Sequence, residues 1–264
     1  MKSPLASVAP ARRRQVYAVL AALLVVLLAL GGWAIVRATR GVAAVDQGVQ
    51  GPVILVPGYG GDVSDLDPLV AQLRTDGRDA VVYQPTGNEQ GDLRVQARRL
   101  ASLARSTIKS TGAPSVDVIG YSAGGVIARL FVRDEGGDGL VRRVMTLGSP
   151  HHGTDVVETI KDSAGGCPTA CEQLDPGSSL LAQLNAGDET PAGPRWIALR
   201  TTRDTVVTPI TSARLDGALN ILVQDVCPQD TSGHGGLPGD PVVLAAVVSA
   251  LDTGSPKTPA DAAC

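Results

Sequence analysis

The chain has 264 residues, of which 44% are hydrophobic, 19% are charged and only 3% are aromatic. This composition is typical of a globular protein, and about 220 residues beyond an apolar N-terminal segment suffice for one sizeable α/β domain. The first 40 residues hold six of the 23 basic residues and no acid, so the remainder carries 17 basic against 26 acidic residues. Because such an acidic domain repels phosphate backbones, we expect no nucleic-acid partner.

The N-terminal segment carries a membrane signal. Residues 16–36 are an uncharged run that directly follows three arginines at positions 12–14. At about 1.5 Å per residue the run spans a hydrocarbon core of ~30 Å, and the arginines predict a cytoplasmic N-terminus. The sequence therefore predicts a basic cytoplasmic stretch (1–15), a transmembrane helix (16–36) and a linker (37–51). An uncleaved signal anchor is preferred, because the run exceeds the ~7–15 apolar residues of a usual signal peptide. The alternative is a signal peptide cut near residues 42–44.

The domain predicted over residues 52–252 alternates apolar runs with amphipathic stretches. Six strands are predicted at Pro52–Val56, Asp79–Tyr83, Ser115–Ile119, Val141–Leu147, Arg195–Arg200 and Ala218–Gln224. Helices are predicted at Leu66–Arg74, Asp92–Thr111, Ala123–Asp134 and Pro241–Leu251. This alternation indicates an α/β fold with a doubly wound, mostly parallel sheet of about six strands.

Two segments fall outside this alternation. Residues 149–194 are rich in Gly, Pro, Ser and Asp, which predicts a long excursion with one short helix near Ser179–Asn185. The excursion is either a lid or a fixed loop. Residues 253–264 are predicted to be a polar C-terminal tail.

The four cysteines are Cys167, Cys171, Cys227 and Cys264. An even number on the outer side of a membrane predicts two disulfides. Of the three possible pairings we prefer Cys167–Cys171 with Cys227–Cys264, because the first two are close in sequence. A CxxxC metal half-site is the alternative, but no second ligand pair at zinc-like spacing accompanies it, so no metal is predicted.

Gly120–Gly125 reads GYSAGG and matches the pattern G-x-S-x-G. An apolar strand runs directly into it and a predicted helix leaves it, which is the context of a nucleophile elbow. Glycines two residues either side of the serine leave room for the sharp turn, and the helix N-terminus favours developing negative charge. Ser122 is therefore the predicted nucleophile. The alternative is an ordinary glycine-rich turn, as in nucleotide-binding folds.

The loop Pro57–Gly61 follows the first predicted strand. In an enzyme with a nucleophile elbow, one oxyanion donor comes from this loop and the other from the residue after the serine. The predicted donors are the backbone N–H groups of Tyr59 and Ala123. A phosphate-binding glycine turn is the alternative, but the loop lacks the Lys-Ser/Thr of a P-loop and does not fit G-x-G-x-x-G.

A serine nucleophile needs a histidine base, and the chain has three histidines. His234 follows the last predicted strand and precedes the last helix, which is the expected position after the acid in the order Ser, Asp, His. His151 and His152 come directly after the strand that follows Ser122, so no strand end could supply an acid before them. His234 is the predicted base.

Asp204 follows the penultimate predicted strand and is the predicted acid that orients the imidazole. Asp225 and Asp230 are alternatives. Both lie on the strand and loop of the histidine itself, whereas the acid should come from the adjacent strand.

Five motifs together resemble the small bacterial lipases of the α/β-hydrolase superfamily, most closely the actinobacterial secreted triacylglycerol lipase/esterase type. The motifs are VPGYGG (Val56–Gly61), GYSAGG (Gly120–Gly125), LGSPHHGTD (Leu147–Asp155), RDTVVTP (Arg203–Pro209) and GHGGLP (Gly233–Pro238). The resemblance covers about residues 50–251 and implies a minimal α/β-hydrolase fold. It also implies a triad of Ser122, Asp204 and His234, with oxyanion donors at Tyr59 and Ala123. Many relatives carry His-Gly where this chain has Pro57-Gly58.

The same resemblance implies what the domain does. A protein of this type hydrolyses carboxylic esters, here acylglycerols or other lipids, through an acyl-enzyme and without a cofactor. The resemblance also suggests that His151, His152 and Thr154 line the substrate site. An acyltransferase with the same triad is the alternative, and a catalytically silent binding scaffold is the third. The expected location is extracytoplasmic, either anchored by the N-terminal helix or secreted.

Overall fold

A computed structural model describes residues 19–26, 45–85, 90–164, 166–259 and 264. The chain divides into two compact units, Met1–Val42 and Ala43–Cys264. In the first unit, residues 19–26 are helical, and the rest of the predicted membrane segment 16–36 lies outside the described residues. Within the described ranges, no helix combines the length and the apolar character needed to cross a bilayer.

The second unit is built on a six-stranded sheet in the order β2-β1-β3-β4-β5-β6, in which every neighbouring pair is parallel. The strands are β1 Val53–Val56, β2 Ala80–Val82, β3 Val116–Tyr121, β4 Val141–Leu147, β5 Arg195–Arg200 and β6 Leu219–Leu222. The predicted six-stranded parallel sheet is confirmed. β6 is shorter than predicted, because the chain turns into a helix at Val223.

Eight α-helices connect and flank the described strands. They are α1 Asp67–Thr75, α2 Leu93–Thr111, α3 Ala123–Asp134, α4 Val156–Ala164, α5 Thr169–Gln173, α6 Ser179–Leu184, α7 Val223–Val226 and α8 Pro241–Leu251. Local sequence sets the ends of the longest, α2. Asp92 caps its first turn by accepting a hydrogen bond from the Arg94 N–H, and Gly112 ends it in a left-handed conformation.

The sheet separates two hydrophobic clusters. Alternate residues of β1 point to opposite faces: Ile54 and Val56 belong to one cluster, Val53 and Leu55 to the other. The first cluster includes apolar residues of α2 and α3, and the second those of α1 and α8. A strand buried on both faces explains the uninterrupted apolar run at Val53–Val56.

The excursion 149–194 differs from its prediction. It contains three helices, α4, α5 and α6, rather than one short helix near Ser179–Asn185. Its four leucines join the first cluster and are almost completely buried: Leu174, Leu180, Leu181 and Leu184. These helices have only five to nine residues and little stability of their own, so tertiary contacts rather than propensity stabilise them. The buried leucines make this segment part of the core.

The structure contains the preferred disulfide pairing, Cys167–Cys171 and Cys227–Cys264. Disulfides persist in oxidising compartments, which supports an extracytoplasmic location for the domain.

A buried ionic cluster lies at the amino ends of the central strands. The carboxylate of Asp117, on β3, accepts hydrogen bonds from Arg142 Nε and Nη2 at 2.9 and 2.5 Å, and from Arg78 Nη2 at 2.7 Å. Arg142 also donates to the carbonyl oxygens of Leu251 and Gln47, at 2.7 and 3.1 Å. Because Asp117 and Arg142 are fully buried, each needs these partners to offset its lost hydration.

Candidate active site

Ser122 occupies a sharp turn between β3, which ends at Tyr121, and α3, which begins at Ala123. Its backbone has φ 52° and ψ −124°, and it is the one non-glycine residue with positive φ in the described part of the chain. Such a conformation costs on the order of 1–3 kcal/mol and persists only where the surroundings impose it. The serine is thereby raised above the carboxyl end of the sheet.

The two flanking glycines make this turn possible. A Cβ atom on Gly120 would lie 2.5 Å from the Gly124 carbonyl oxygen, and a Cβ on Gly124 would lie 2.3 Å from the Val56 carbonyl oxygen. Both distances are impossible contacts with backbone atoms. The spacing in G-x-S-x-G is therefore a packing requirement of the strand, the turn and the helix that follows.

The structure brings Ser122, His234 and Asp204 together in one hydrogen-bonded chain. His234 Nε2 lies 3.0 Å from Ser122 Oγ, and His234 Nδ1 lies 2.8 Å from Asp204 Oδ2. His234 begins a 3-10 helix, His234–Gly239, and Asp204 lies in the loop after β5. The histidine and the aspartate are 7% and 6% exposed, so bulk water scarcely screens their interaction.

Backbone groups hold Asp204 in place. Its Oδ1 accepts hydrogen bonds from the N–H groups of Val206 and Val207, at 2.9 and 2.8 Å, which leaves Oδ2 for the imidazole. The loop itself is fixed by Thr154, whose hydroxyl donates to the Val206 carbonyl at 2.6 Å and accepts from the Thr208 N–H at 3.2 Å. The segment after β4 thus stabilises the loop that carries the acid.

Tyr121 contacts both the backbone and the ring of His234, and the sequence did not predict this contact. Its hydroxyl donates to the His234 carbonyl oxygen at 3.2 Å, and the two ring centroids lie 5.3 Å apart. Burial, with smaller contributions from Asp65 and Asp204, raises the pKa of Tyr121 to about 12, so the phenol remains a neutral donor. The one available signal in the sequence was its position as the first variable residue of G-x-S-x-G, directly before the serine.

The loop after β1 lies directly against the serine. A Cβ on Gly58 would be 3.0 Å from Ser122 Cβ, so only glycine allows this approach without displacement. Tyr59 is the next residue and lies at the edge of the cleft beside Ser122, and Ala123 is the first residue of α3. Both predicted oxyanion donors are therefore in segments that flank Ser122.

The other two histidines are not part of the hydrogen-bonded chain of Ser122, His234 and Asp204. His151 is completely buried, and its Nε2 lies 3.0 Å from Thr146 Oγ1. Burial, with smaller effects from Arg129 and His152, lowers the pKa of His151 well below its ordinary value, so the ring is neutral. His152 Nε2 lies 2.7 Å from Glu189 Oε1. Neither side chain lines the cleft, so their predicted role in substrate binding gains no support from their placement.

An apolar cleft opens beside Ser122. It contains about 450 Å³ free of protein atoms, including the part that is open to solvent. Most of its lining is aliphatic and comes from α4, the loop after α5 and the loop after β5: Val156, Val157, Ile160, Leu174, Val206 and Val207. Thr154, suggested from sequence as a lining residue, also lies there. The described residues include no cluster of three or more His, Cys, Asp or Glu side chains suited to a metal ion.

A parallel sheet in this strand order, with a serine in the turn between its third strand and the following helix, defines an α/β-hydrolase. Solved lipases share this fold at low identity. A Bacillus licheniformis lipase, BlEst2 in its mature form, is 21% identical with a TM-score of 0.60, over 76% of this chain and 91% of the lipase. Aspergillus fumigatus lipase B is 20% identical with a TM-score of 0.67, over 82% of this chain and 56% of that protein.

The sequence also identifies a family within this superfamily. A family model described as palmitoyl protein thioesterase matches residues 52–188, about half of the chain. The chain belongs to that family. The match begins just before β1 and includes Ser122, while Asp204 and His234 lie beyond it. The likeness to α/β-hydrolase lipases and esterases that the motifs indicated is confirmed, and the actinobacterial type stays a prediction.

Proposed function

We propose that this protein is a serine hydrolase that cleaves fatty acyl esters, with carboxylic esters such as acylglycerols as its substrates. The observation that carries the proposal is the hydrogen-bonded chain Ser122–His234–Asp204 at the mouth of an apolar cleft. Membership of a hydrolase family and the fold shared with lipases support it.

In the proposed mechanism, His234 Nε2 accepts the proton of Ser122 Oγ as that oxygen attacks the ester carbonyl carbon. Asp204 keeps the other imidazole proton on Nδ1 and stabilises the imidazolium that forms. The tetrahedral oxyanion accepts hydrogen bonds from the N–H groups of Tyr59 and Ala123. His234 then gives its proton to the alcohol, which departs. The acyl group remains covalently bound to Ser122.

The second half of the cycle reverses these steps with water in place of the alcohol. His234 removes a proton from the water as its oxygen attacks the acyl carbonyl, and the proton then returns to Ser122 Oγ. The fatty acid leaves and the free serine is restored. No cofactor takes part in any step of this proposal.

The cleft predicts a dependence on acyl chain length. Each methylene buried against its aliphatic wall contributes about 0.8 kcal/mol, which corresponds to roughly a fourfold gain in kcat/KM. We therefore expect kcat/KM to rise stepwise along a series of p-nitrophenyl esters from acetyl upward, and to level off or fall once the chain reaches the end of the cleft. Initial rates with the full-length protein test this, and Ser122→Ala protein supplies the background. A series with no chain-length dependence would contradict acyl binding in this cleft.

A thioester substrate is the second candidate, favoured by the family to which the chain belongs. The same triad attacks either carbonyl, and the leaving group alone differs. Oxygen esters and thioesters of one acyl chain, compared by kcat/KM on the same preparation, separate the two. A ratio above one for the oxygen ester supports the primary proposal, and a large preference for the thioester favours the second.

The predicted N-terminal helix completes the proposal, because it would hold the domain at the outer face of a membrane. The two disulfides support a location on the outer side of the membrane. Protease added to intact cells should digest the domain. In a separate sample without protease, the protein should sediment with membranes after lysis. Release into the medium would favour a cleaved signal peptide, and full protection from protease would contradict the predicted location.

A further inference from the structure

The cleft beside Ser122 has an open end and a closed end. Tyr59 and Val206, 37% and 41% exposed, stand at the open end. Val157, Cys171 and Leu174 also line the cleft but are only 2%, 3% and 6% exposed, so they form its inner wall. Cys171 is thus a wall residue and one half of the disulfide with Cys167.

The helix that carries Cys171 is anchored differently at its two ends. At the carboxyl end of α5, Gln173 Nε2 donates to Asp92 Oδ1 and Gln173 Oε1 accepts from the Leu93 N–H, both at 2.8 Å. These bonds attach that end to the start of α2. At the amino end, the Ala170 N–H donates to the Gln90 carbonyl at 3.0 Å. The disulfide ties Cys171, the middle residue of the helix, to the segment before it.

A helix of five residues has little stability of its own, so these anchors determine where its side chains lie. Cys167 itself packs against the first hydrophobic cluster. The disulfide therefore joins Cys171 to a residue that itself packs against this cluster, which restricts the movement of the Cys171 side chain.

We propose that the Cys167–Cys171 disulfide determines acyl-chain selectivity by fixing the inner wall of the cleft, so that chains longer than the cleft are rejected. This inference rests on the proposed function, because it concerns the acyl group of the same substrates. Without the bond, the Cys171 side chain is free to take another position and the wall yields to a longer chain. The acyl optimum then moves to greater length.

Cys167→Ala tests this, because it breaks the disulfide without replacing a residue that lines the cleft. Cys264→Ala is the matched control: it breaks the other disulfide, whose partner Cys227 packs in the second cluster, on the opposite face of the sheet. Both proteins and wild type are assayed on butanoyl, octanoyl, dodecanoyl and hexadecanoyl p-nitrophenyl esters. Thermal unfolding of each protein establishes that it is folded at the assay temperature.

We expect the ratio of kcat/KM for dodecanoyl over butanoyl ester to rise by about tenfold in Cys167→Ala, the scale on which apolar pockets discriminate chain length. The ratio should stay at the wild-type value in Cys264→Ala. An unchanged or lower ratio in Cys167→Ala, or an equal rise in both variants, overturns the inference. Absence of hydrolysis in wild type on every ester would instead overturn the proposed function.

If Cys167→Ala protein does not fold, a second measurement tests the same inference. In folded Cys264→Ala protein, a water-soluble phosphine reduces the remaining disulfide. The phosphine supplies two electrons and becomes its oxide, and one water molecule supplies the oxide oxygen and the two protons of the new thiols. The chain-length ratio is measured on the reduced, unlabelled protein. Maleimide labelling of a denatured sample then counts three thiols: Cys167, Cys171 and the Cys227 thiol that Cys264→Ala already leaves free. The same rise in the chain-length ratio supports the inference, and no rise after complete reduction overturns it.

Discussion

Replacing Ser122 with alanine is expected to lower kcat for ester hydrolysis by about a millionfold, the loss seen when a serine nucleophile is removed from a comparable triad. The reason is that the acyl-enzyme cannot form, and His234 has no hydroxyl to deprotonate. Folding should be unaffected or improved, because alanine tolerates the turn no worse than serine does. Initial rates on a p-nitrophenyl ester and covalent labelling by a fluorophosphonate both check the result.

Ser102→Ala is the control for this experiment. Ser102 is an exposed residue of α2 whose hydroxyl donates to the Arg98 carbonyl. Its loss should leave kcat within about twofold of wild type, as is usual for surface substitutions. If Ser122→Ala protein retained even a tenth of wild-type activity, or still reacted with the fluorophosphonate at one site, another residue would be the nucleophile.

Asp204→Asn has the second largest expected effect, a loss of about 10⁴-fold in kcat. Asparagine has the same shape, and its side-chain oxygen can still accept from the N–H groups of Val206 and Val207. Its amide nitrogen would then face His234 Nδ1, which must become the acceptor. The imidazole proton moves to Nε2, where it faces Ser122 Oγ, and the histidine can no longer act as a base.

Asp225→Asn is the matched control, because Asp225 was the alternative acid from sequence and is exposed on α7. Its activity should match wild type. Unfolding curves of both variants separate loss of the base from loss of the fold. Full activity in Asp204→Asn protein, or inactivation by Asp225→Asn at unchanged stability, would mean that Asp204 does not orient the histidine.

The sequence was most informative where geometry leaves few choices. The strands were visible because burial on both faces requires uninterrupted apolar runs, as at Val53–Val56. The triad candidates followed from order along the chain, since one histidine lies after the last strand. Their hydrogen bonds in the structure agree with that assignment, and their catalytic roles remain proposals.

Other features depend on contacts between distant segments and leave little local pattern. The excursion 149–194 packs short helices into the core, although its composition is that of a loop. The family resemblance suggested His151 as a substrate-site residue, a role that stays a prediction, whereas its buried side chain contacts Thr146. The bond from Tyr121 to the His234 carbonyl joins residues that are 113 positions apart.

The ionic cluster around Asp117 has a consequence for how the domain is assembled. Arg142 reaches the backbone at both Gln47 and Leu251, and the Gln50 side chain also donates to the Leu251 carbonyl at 3.0 Å. The stretch before β1 and the end of α8 are therefore neighbours, on the side away from Ser122. Contacts between residues about 200 positions apart form late, because a long loop must be closed first, and they slow folding. Because these two segments are close, a short linker could join them, and the chain could be cut in a surface loop to create new termini. The result would be a circularly permuted domain whose cleft is unchanged.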